Sequence, residues 1–477
     1  MTTFVNAVKN QEARTDNGMK ARVSTSSKNV DLFFKIGASR GKDITPAFVG
    51  AYVENRDYAL RIAQWARDVR GGAGERKLFR DILAKLAVDE LGAARALMRK
   101  VPTLGRWDDV LVLLGTELEY EAILMIKEAL DKGDGLCAKW MPRKGAEAAK
   151  LRAAFGWTPK YYRKRLVELT KVVEQDMCAN KWDEINFNHV PSVASARYKK
   201  AFSRRTEKYK EWAAKLVSTD PEEAKTVKVN AGAVYPYDVL KGVINIYGGP
   251  LDRSGLNVVQ AQWDALPNYV GDANVLPIVD VSGSMSTPAG GLKSKSKVTC
   301  LDVSVSLGLY LADKNKGKFK DTFLTFSGKP ELLHLNGNIL EKIDQMSHSK
   351  WEMNTNLNAA IKKILDVAVD GEVPAEEMPK VLLILSDMQF DQCAKYDDSA
   401  MQMIERKYAA AGYSVPQIVF WNLNAADNVP VKFNEKGVAL VSGFSPTIVK
   451  SVLAADLEEF TPEEIMRKTI MSERYDY

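Results

Sequence analysis

The sequence predicts a helical-repeat N-terminal domain over residues 31–270, followed by a doubly wound, mostly parallel α/β domain over residues 271–477. Three observations carry this. From Asp43 to about Leu216 apolar residues recur at helical spacing, as in Tyr58, Ile62, Trp65 and Val69, and strand signals are nearly absent. From Asn274 onward, short runs that are apolar on both faces alternate with helical patterns, the mark of a parallel sheet covered on both sides. Between them the texture changes through Thr219–Glu223 and a Gly- and Pro-bearing stretch holding Tyr235-Pro-Tyr237 and Tyr247-Gly-Gly-Pro250, which puts the boundary near 270.

Taken in order, residues 1–30 are polar and rich in Lys, Asn, Ser and Thr, and read as a flexible lead-in. In the helical region, breaks are predicted at Arg70–Gly74, Val101–Arg106, Lys132–Gly135 and Trp157–Pro159, leaving stacked hairpins without a clean sequence repeat. The strands expected after 270 are Val275–Val279, Thr322–Phe326, Glu331–Leu335, Val381–Leu385, Gln417–Trp421 and Val438–Val441. Helices are expected between them over about 299–314, 356–369 and 399–411.

The 477 residues are 46% apolar, which excludes a chain disordered throughout. No stretch reaches the roughly 18–20 apolar residues of a membrane span, and the N-terminus lacks the apolar core of a secretion signal, so a cytoplasmic protein is expected. Cys137, Cys178, Cys300 and Cys393 are too scattered for a disulfide framework or a C-x-x-C metal pair. His189, His334 and His348 have no zinc spacing, so hydrolytic zinc and Ser-His or Cys-His chemistry lack support, and a non-enzymatic role is expected. Charge is uneven: 21 basic against 11 acidic residues in 139–228, and 24 against 31 in 229–477. A middle this basic suits phosphates, or an acidic protein face.

The first expected strand runs into Asp280-Val-Ser-Gly-Ser284, placing a carboxylate and two hydroxyls where open α/β sheets bind ligands. Thr355 at a helix entry and Asp387 after Val381–Leu385 belong to the same edge. Hard oxygen donors with few formal charges suit Mg²⁺ or Mn²⁺; the competing reading is a turn in which Asp280 caps a helix. The pattern resembles the metal-ion-dependent adhesion site of the von Willebrand factor A family, D-x-S-x-S followed by a Thr and an Asp, over about 274–460. The resemblance implies metal contact by Ser282, Ser284 and Thr355, with Asp280 and Asp387 acting largely through water, on a Rossmann-like fold. A partner protein would supply an Asp or Glu to the open position.

In the first half, Arg67–Arg76, Gly105–Asp109, Lys139–Arg143, Trp182–Ile185 and Val190–Phe202 resemble an uncharacterised family of plant, fungal and phage proteins. Its layout, a HEAT-like helical front and a C-terminal A domain, is similar to that of the Ro, or TROVE, proteins, which implies binding of a small structured RNA. The matching candidates are the bases Arg197, Lys199, Lys200, Arg204, Arg205 and Lys208, interleaved with Tyr198, Phe202 and Tyr209. The same aromatics at helical spacing also read as a buried stripe. Arg70-Gly-Gly-Ala-Gly74 reads as a helix-ending turn more readily than as a phosphate loop, since it lacks the G-K-[ST] ending. Two expectations follow: a ribonucleoprotein scaffold with a Mg²⁺-dependent protein site, or an assembly module, a phage component among its forms, that binds no nucleic acid.

Overall fold

A computed structural model describes residues 12–241, 243, 256–289, 298–326, 328–347, 354–392, 397–425, 427–455 and 459–477. His348, Cys393, the Tyr247–Pro250 stretch and the first part of the expected lead-in lie outside them. The chain opens with a hairpin of β1 (Glu12–Arg14) and β2 (Lys20–Arg22), then α1 (Lys28–Ile36), α2 (Thr45–Glu54), α3 (Arg56–Arg67), α4 (Arg76–Asp89) and α5 (Leu91–Leu104). A 3₁₀ turn at Trp107–Leu113 precedes α6 (Glu119–Asp131), α7 (Gly135–Trp140), α8 (Ala146–Phe155), α9 (Pro159–Leu169) and α10 (Val173–Cys178). Next come α11 (Ser192–Arg205), α12 (Glu207–Lys215), α13 (Pro221–Lys225), α14 (Pro236–Leu240) and α15 (Leu256–Asp264).

These helices start and stop for local reasons. Asn55 caps α3 through Tyr58 N, Asp134 caps α7 through Leu136 N and Cys137 N, and Thr158 caps α9 ahead of Pro159. Gly156 closes α8 in the left-handed conformation.

The α/β part contains β3 (Val275–Asp280), α16 (Cys300–Lys314), β4 (Thr322–Phe326), β5 (Glu331–His334), α17 (Ile339–Ser347), α18 (Leu357–Asp370), β6 (Val381–Ser386), α19 (Ala400–Ala411), β7 (Gln417–Asn422), β8 (Val438–Ser442), α20 (Val449–Leu453) and α21 (Pro462–Ile470). The sheet order is β5-β4-β3-β6-β7-β8; only β5, at an edge, runs antiparallel. Every residue of β3, β6 and β8 is buried, which is why these strands read as unbroken apolar runs. Helix α16 lies close on β3: a Cβ at Gly308 would collide with Val279 Cγ2. From β3 the chain steps to β4 on one side and later to β6 on the other, so the order reverses between β3 and β6 and opens a crevice at their carboxyl ends.

One expectation is corrected. Residues 12–30 are not a loose lead-in: Gly18 bridges to Asp391, Lys20 to Ser399 and Arg22 to Val429, and α1 is packed into the core. The hairpin was invisible locally because its partners, Asp391, Ser399 and Val429, lie at the far end of the sequence. The helical region and the sheet pack directly on one another. One apolar core runs from Val30 through the sheet to Tyr475, and a smaller one gathers Val173, Phe187, Phe202, Tyr209 and Trp212. Ser442 Oγ donates to Phe33 O at 2.8 Å and Asn422 Nδ2 to Phe34 O at 3.1 Å, fastening α1 to the ends of β7 and β8. At the other end, Gln64 Nε2 donates to Tyr475 O at 2.9 Å, and Arg474 pairs with the buried Asp68.

Candidate metal centre and basic surface

At the crevice, Asp280 is the last residue of β3 and is wholly buried. One carboxylate oxygen accepts from Ser282 N at 2.9 Å, the other from Ser386 Oγ at 2.6 Å. The Ser282 and Ser284 hydroxyls stand 3.1 Å apart, Ser282 buried and Ser284 exposed. Asp387, just past β6, accepts from Ser284 and from Gln389 N at 3.2 Å. Met388 sits between with φ +66°, a left-handed conformation that is costly outside glycine and that turns the chain directly after Asp387. Thus Asp280, Ser282, Ser284 and Asp387 form one hydrogen-bonded group. Thr355 is buried beside it, its carbonyl accepting from Asp391 N at 3.0 Å, and among the described contacts it touches neither serine.

The two buried carboxylates stand close enough to repel each other. Burial first, and the neighbouring Asp387 second, push the Asp280 carboxyl above its ordinary range; burial does the same to Asp387, partly offset by the Ser284 hydroxyl and Gln389 N. Among the described residues no three His, Cys, Asp or Glu side chains gather as ligands, so a metal here depends on the hydroxyls. The spacing suits them: two oxygens at right angles around an ion bound at about 2.1 Å are about 3.0 Å apart, against about 3.4 Å for an ion the size of Ca²⁺. The 3.1 Å between the serine hydroxyls serves as a hydrogen bond and matches the smaller ions. The donor set fits Mg²⁺ or Mn²⁺.

Sequence reasoning missed three participants. Ser386, beside Asp387, locks Asp280; its place at a strand end was the available signal. Ser304 Oγ of α16 donates to Asp280 O at 3.1 Å. Asn17, in the β1–β2 turn, donates to Thr355 Oγ1 at 3.4 Å and to Gln389 O at 2.8 Å, while Asp16 N donates to Gln389 Oε1 at 2.6 Å. The turn therefore lies on the rim of the site, and Asp16 adds negative charge near Asp387.

On the basic stretch, Arg197, Lys200, Arg204, Arg205 and Lys208 are exposed on α11 and α12. Lys199 is a correction: it is only 6% exposed and belongs to the packed side of α11. The aromatics resolve as core. Phe202 and Tyr209 are buried in the smaller cluster, and Tyr198 packs edge-on to Phe202 with its hydroxyl donating to Glu174. Phe202 and Tyr209 thus offer no face for base stacking, while Tyr198 is half-buried and the bases face solvent. The Arg70–Gly74 segment is a helix-ending turn, with Gly72 N and Gly74 N donating to Asp68 O at 3.1 Å, Ala73 N to Trp65 O at 3.1 Å and Glu75 N to Ala66 O at 2.7 Å. Its amides are spent on α3 and leave no phosphate cradle.

Comparison with known proteins gives two family models end to end: a domain of unknown function, DUF2828, over residues 142–275 and another, DUF7788, over 274–475. The chain is 28% identical over 512 residues to the uncharacterized protein L728 of Acanthamoeba polyphaga mimivirus, covering 95% of this chain and 86% of that one. A structure search aligns it with the crystal structure of the RO (RSR) protein of Deinococcus radiodurans at 15% identity and a TM-score of 0.42, over 94% of this chain and 100% of that one. No helix among the described residues is long and apolar enough to cross a membrane.

Proposed function

We propose that this chain is a non-enzymatic scaffold with two binding faces: a Mg²⁺- or Mn²⁺-dependent site for a partner protein on the α/β sheet, and a basic helical surface for a small structured RNA. The observation that carries the reading is the hydrogen-bonded group Asp280–Ser282–Ser284–Asp387 at the point where the strand order reverses. Ser282, Ser284 and Thr355 would hold the ion, with Asp280 and Asp387 behind them, in the manner of a von Willebrand A adhesion site. When bound, the ion supplies a Lewis-acid position that an Asp or Glu of the partner fills. The chain's own part is orientation: Ser386 and Ser282 N fix the Asp280 carboxylate, and Met388 aims Asp387.

For the second face, exposed cations over buried aromatics support phosphate contact with A-form or folded RNA rather than base reading. The test separates the faces. Asp280→Ala is expected to abolish Mg²⁺-dependent partner capture and Ser284→Ala to weaken it, each leaving RNA affinity unchanged, whereas charge reversal at Lys200, Arg204 and Arg205 does the opposite. RNA binding should weaken linearly in log–log form with salt as counterions are released. Equal loss of both activities in either set refutes the division, and a natively purified protein free of nucleic acid removes the RNA half.

A further inference from the structure

The β1–β2 turn reaches the candidate metal centre from the far end of the chain. Gly18 N donates to Thr15 O at 2.9 Å, Thr15 N donates to Met19 O at 2.9 Å, and Gly18 takes φ +89°, so the turn is tight with Asp16 and Asn17 at its corners. It is held along the segment that follows Asp387. Thr15 Oγ1 donates to Phe390 O at 2.6 Å, Asp16 N to Gln389 Oε1 at 2.6 Å and Gln392 N to Asn17 O at 3.0 Å. Arg14 and Lys20, one on each strand, both pair with Asp397, at 2.8 and 3.4 Å, and Met19 is buried in the main core.

The turn is tied to two members of the centre. Asn17 Nδ2 reaches Thr355 Oγ1 at 3.4 Å, and Gln389, which accepts from both Asp16 N and Asn17 Nδ2, donates its own amide to Asp387 Oδ1 at 3.2 Å. Asp16 therefore stands on a fixed turn, next to the residue that touches Thr355 and one hydrogen bond from the residue that touches Asp387. Thr15 and Asn17 spend their side chains on holding the turn. The Asp16 carboxylate is exposed, with no ion pair and no hydrogen bond among the described residues. Burial dominates the upward shift of Asp387, and the Asp16 charge adds to it. Without an ion that charge is a repulsion; with one it is an oxygen donor of the kind Mg²⁺ takes.

We propose that Asp16 is a further ligand of the metal centre: the hairpin supplies, from within the chain, the acidic side chain that fills the position left open by Ser282, Ser284 and Thr355. This rests on the metal reading above and deepens it. A partner's Asp or Glu then enters only by displacing Asp16, and the hairpin that carries Asp16 is the gate to the site. The competing account is that Asp16 serves the turn alone, since Asp is favoured at turn corners; it gives Asp16 no influence on the ion.

The test is calorimetric titration of the full chain with MgCl₂, with amide hydrogen exchange in EDTA and in Mg²⁺, on wild type, Asp16→Ala and Asp16→Asn. Asp16→Ala should bind Mg²⁺ about tenfold more weakly than wild type, because affinity follows the charge and number of ligands. Asp16→Asn should fall between, since its amide oxygen still ligates without the charge. By linkage, the factor by which Asp16 tightens the ion is the factor by which the ion secures the hairpin, so Mg²⁺ should slow exchange across residues 12–22 about tenfold in wild type and not in Asp16→Ala. A role in the turn alone moves neither quantity. Equal Mg²⁺ affinity in wild type and Asp16→Ala overturns the proposal and leaves the metal centre standing, whereas no Mg²⁺ binding by any of the three removes both. Equal weakening in Asp16→Ala and Asp16→Asn marks a charge acting from a distance and overturns ligation, as does hairpin exchange in wild type that Mg²⁺ leaves unchanged.

Discussion

Ser284→Ala isolates the metal question better than any carboxylate change. The Ser284 side chain is exposed and lies in a short 3₁₀ turn, so its removal opens no cavity. Its hydroxyl nonetheless stands 3.1 Å from that of Ser282 and bonds Asp387, so it is half of the neutral donor pair. At 100 times the dissociation constant, a bound ion stabilises the fold by about 2.7 kcal/mol. Losing one ligand, taken as a tenfold weaker site, leaves about 1.4 kcal/mol at the same concentration. Because one core joins the helices to the sheet, the whole chain melts together, and at about 2.1 cal/mol/K per residue 1 kcal/mol moves the midpoint by about 1 °C; that is a shift of about 3 °C in wild type against about half in the variant. The assay is thermal melting with Mg²⁺, Mn²⁺ or Ca²⁺, read beside tryptophan emission to follow the fold. Mg²⁺ and Mn²⁺ should outperform Ca²⁺, given the 3.1 Å spacing. An identical Mg²⁺ shift in wild type and Ser284→Ala refutes the assignment of the hydroxyls. No shift in wild type at millimolar Mg²⁺ refutes the metal site.

The other predictions concern what holds the site in place. Asn17→Ala removes the turn's bonds to Thr355 and Gln389; at about 1 kcal/mol it should speed hydrogen exchange across residues 12–22 about fivefold while residues 381–386 stay protected. Gly308→Ala drives a methyl into Val279 and should cost about 2–3 kcal/mol in denaturant unfolding, with weakened Mg²⁺ response because β3 carries Asp280. Arg474→Met leaves buried Asp68 with only Tyr475 Oη and nearby backbone amides, and should cost about 3 kcal/mol. Asp68 is driven up by burial but held below its ordinary pKa, on balance, by Arg474 first. Its contribution is therefore present above the unfolded carboxylate pKa and lost as pH falls through the lower folded one, so wild type should lose this increment in acid and Arg474→Met should show a flatter acid limb.

What the sequence discloses divides along range of interaction. Strands β3, β6 and β8 were legible because burial on both faces writes an unbroken apolar run into the chain, and the helix ends because caps such as Thr158-Pro159 and breaks such as Arg70–Gly74 act over a few residues. Asp280, Ser282, Ser284 and Asp387 were legible for the same reason: each sits at the end of a strand whose own pattern announces it. The hairpin over the site was not, since residues 12–22 gain their order from Asp391, Ser399 and Val429, and nothing in a polar eleven-residue stretch encodes that. The basic stretch shows the limit from the other side. Composition cannot say which of Lys199 and Lys200 faces water; the α11 packing buries the first and exposes the second, and it takes Phe202 and Tyr209 inward.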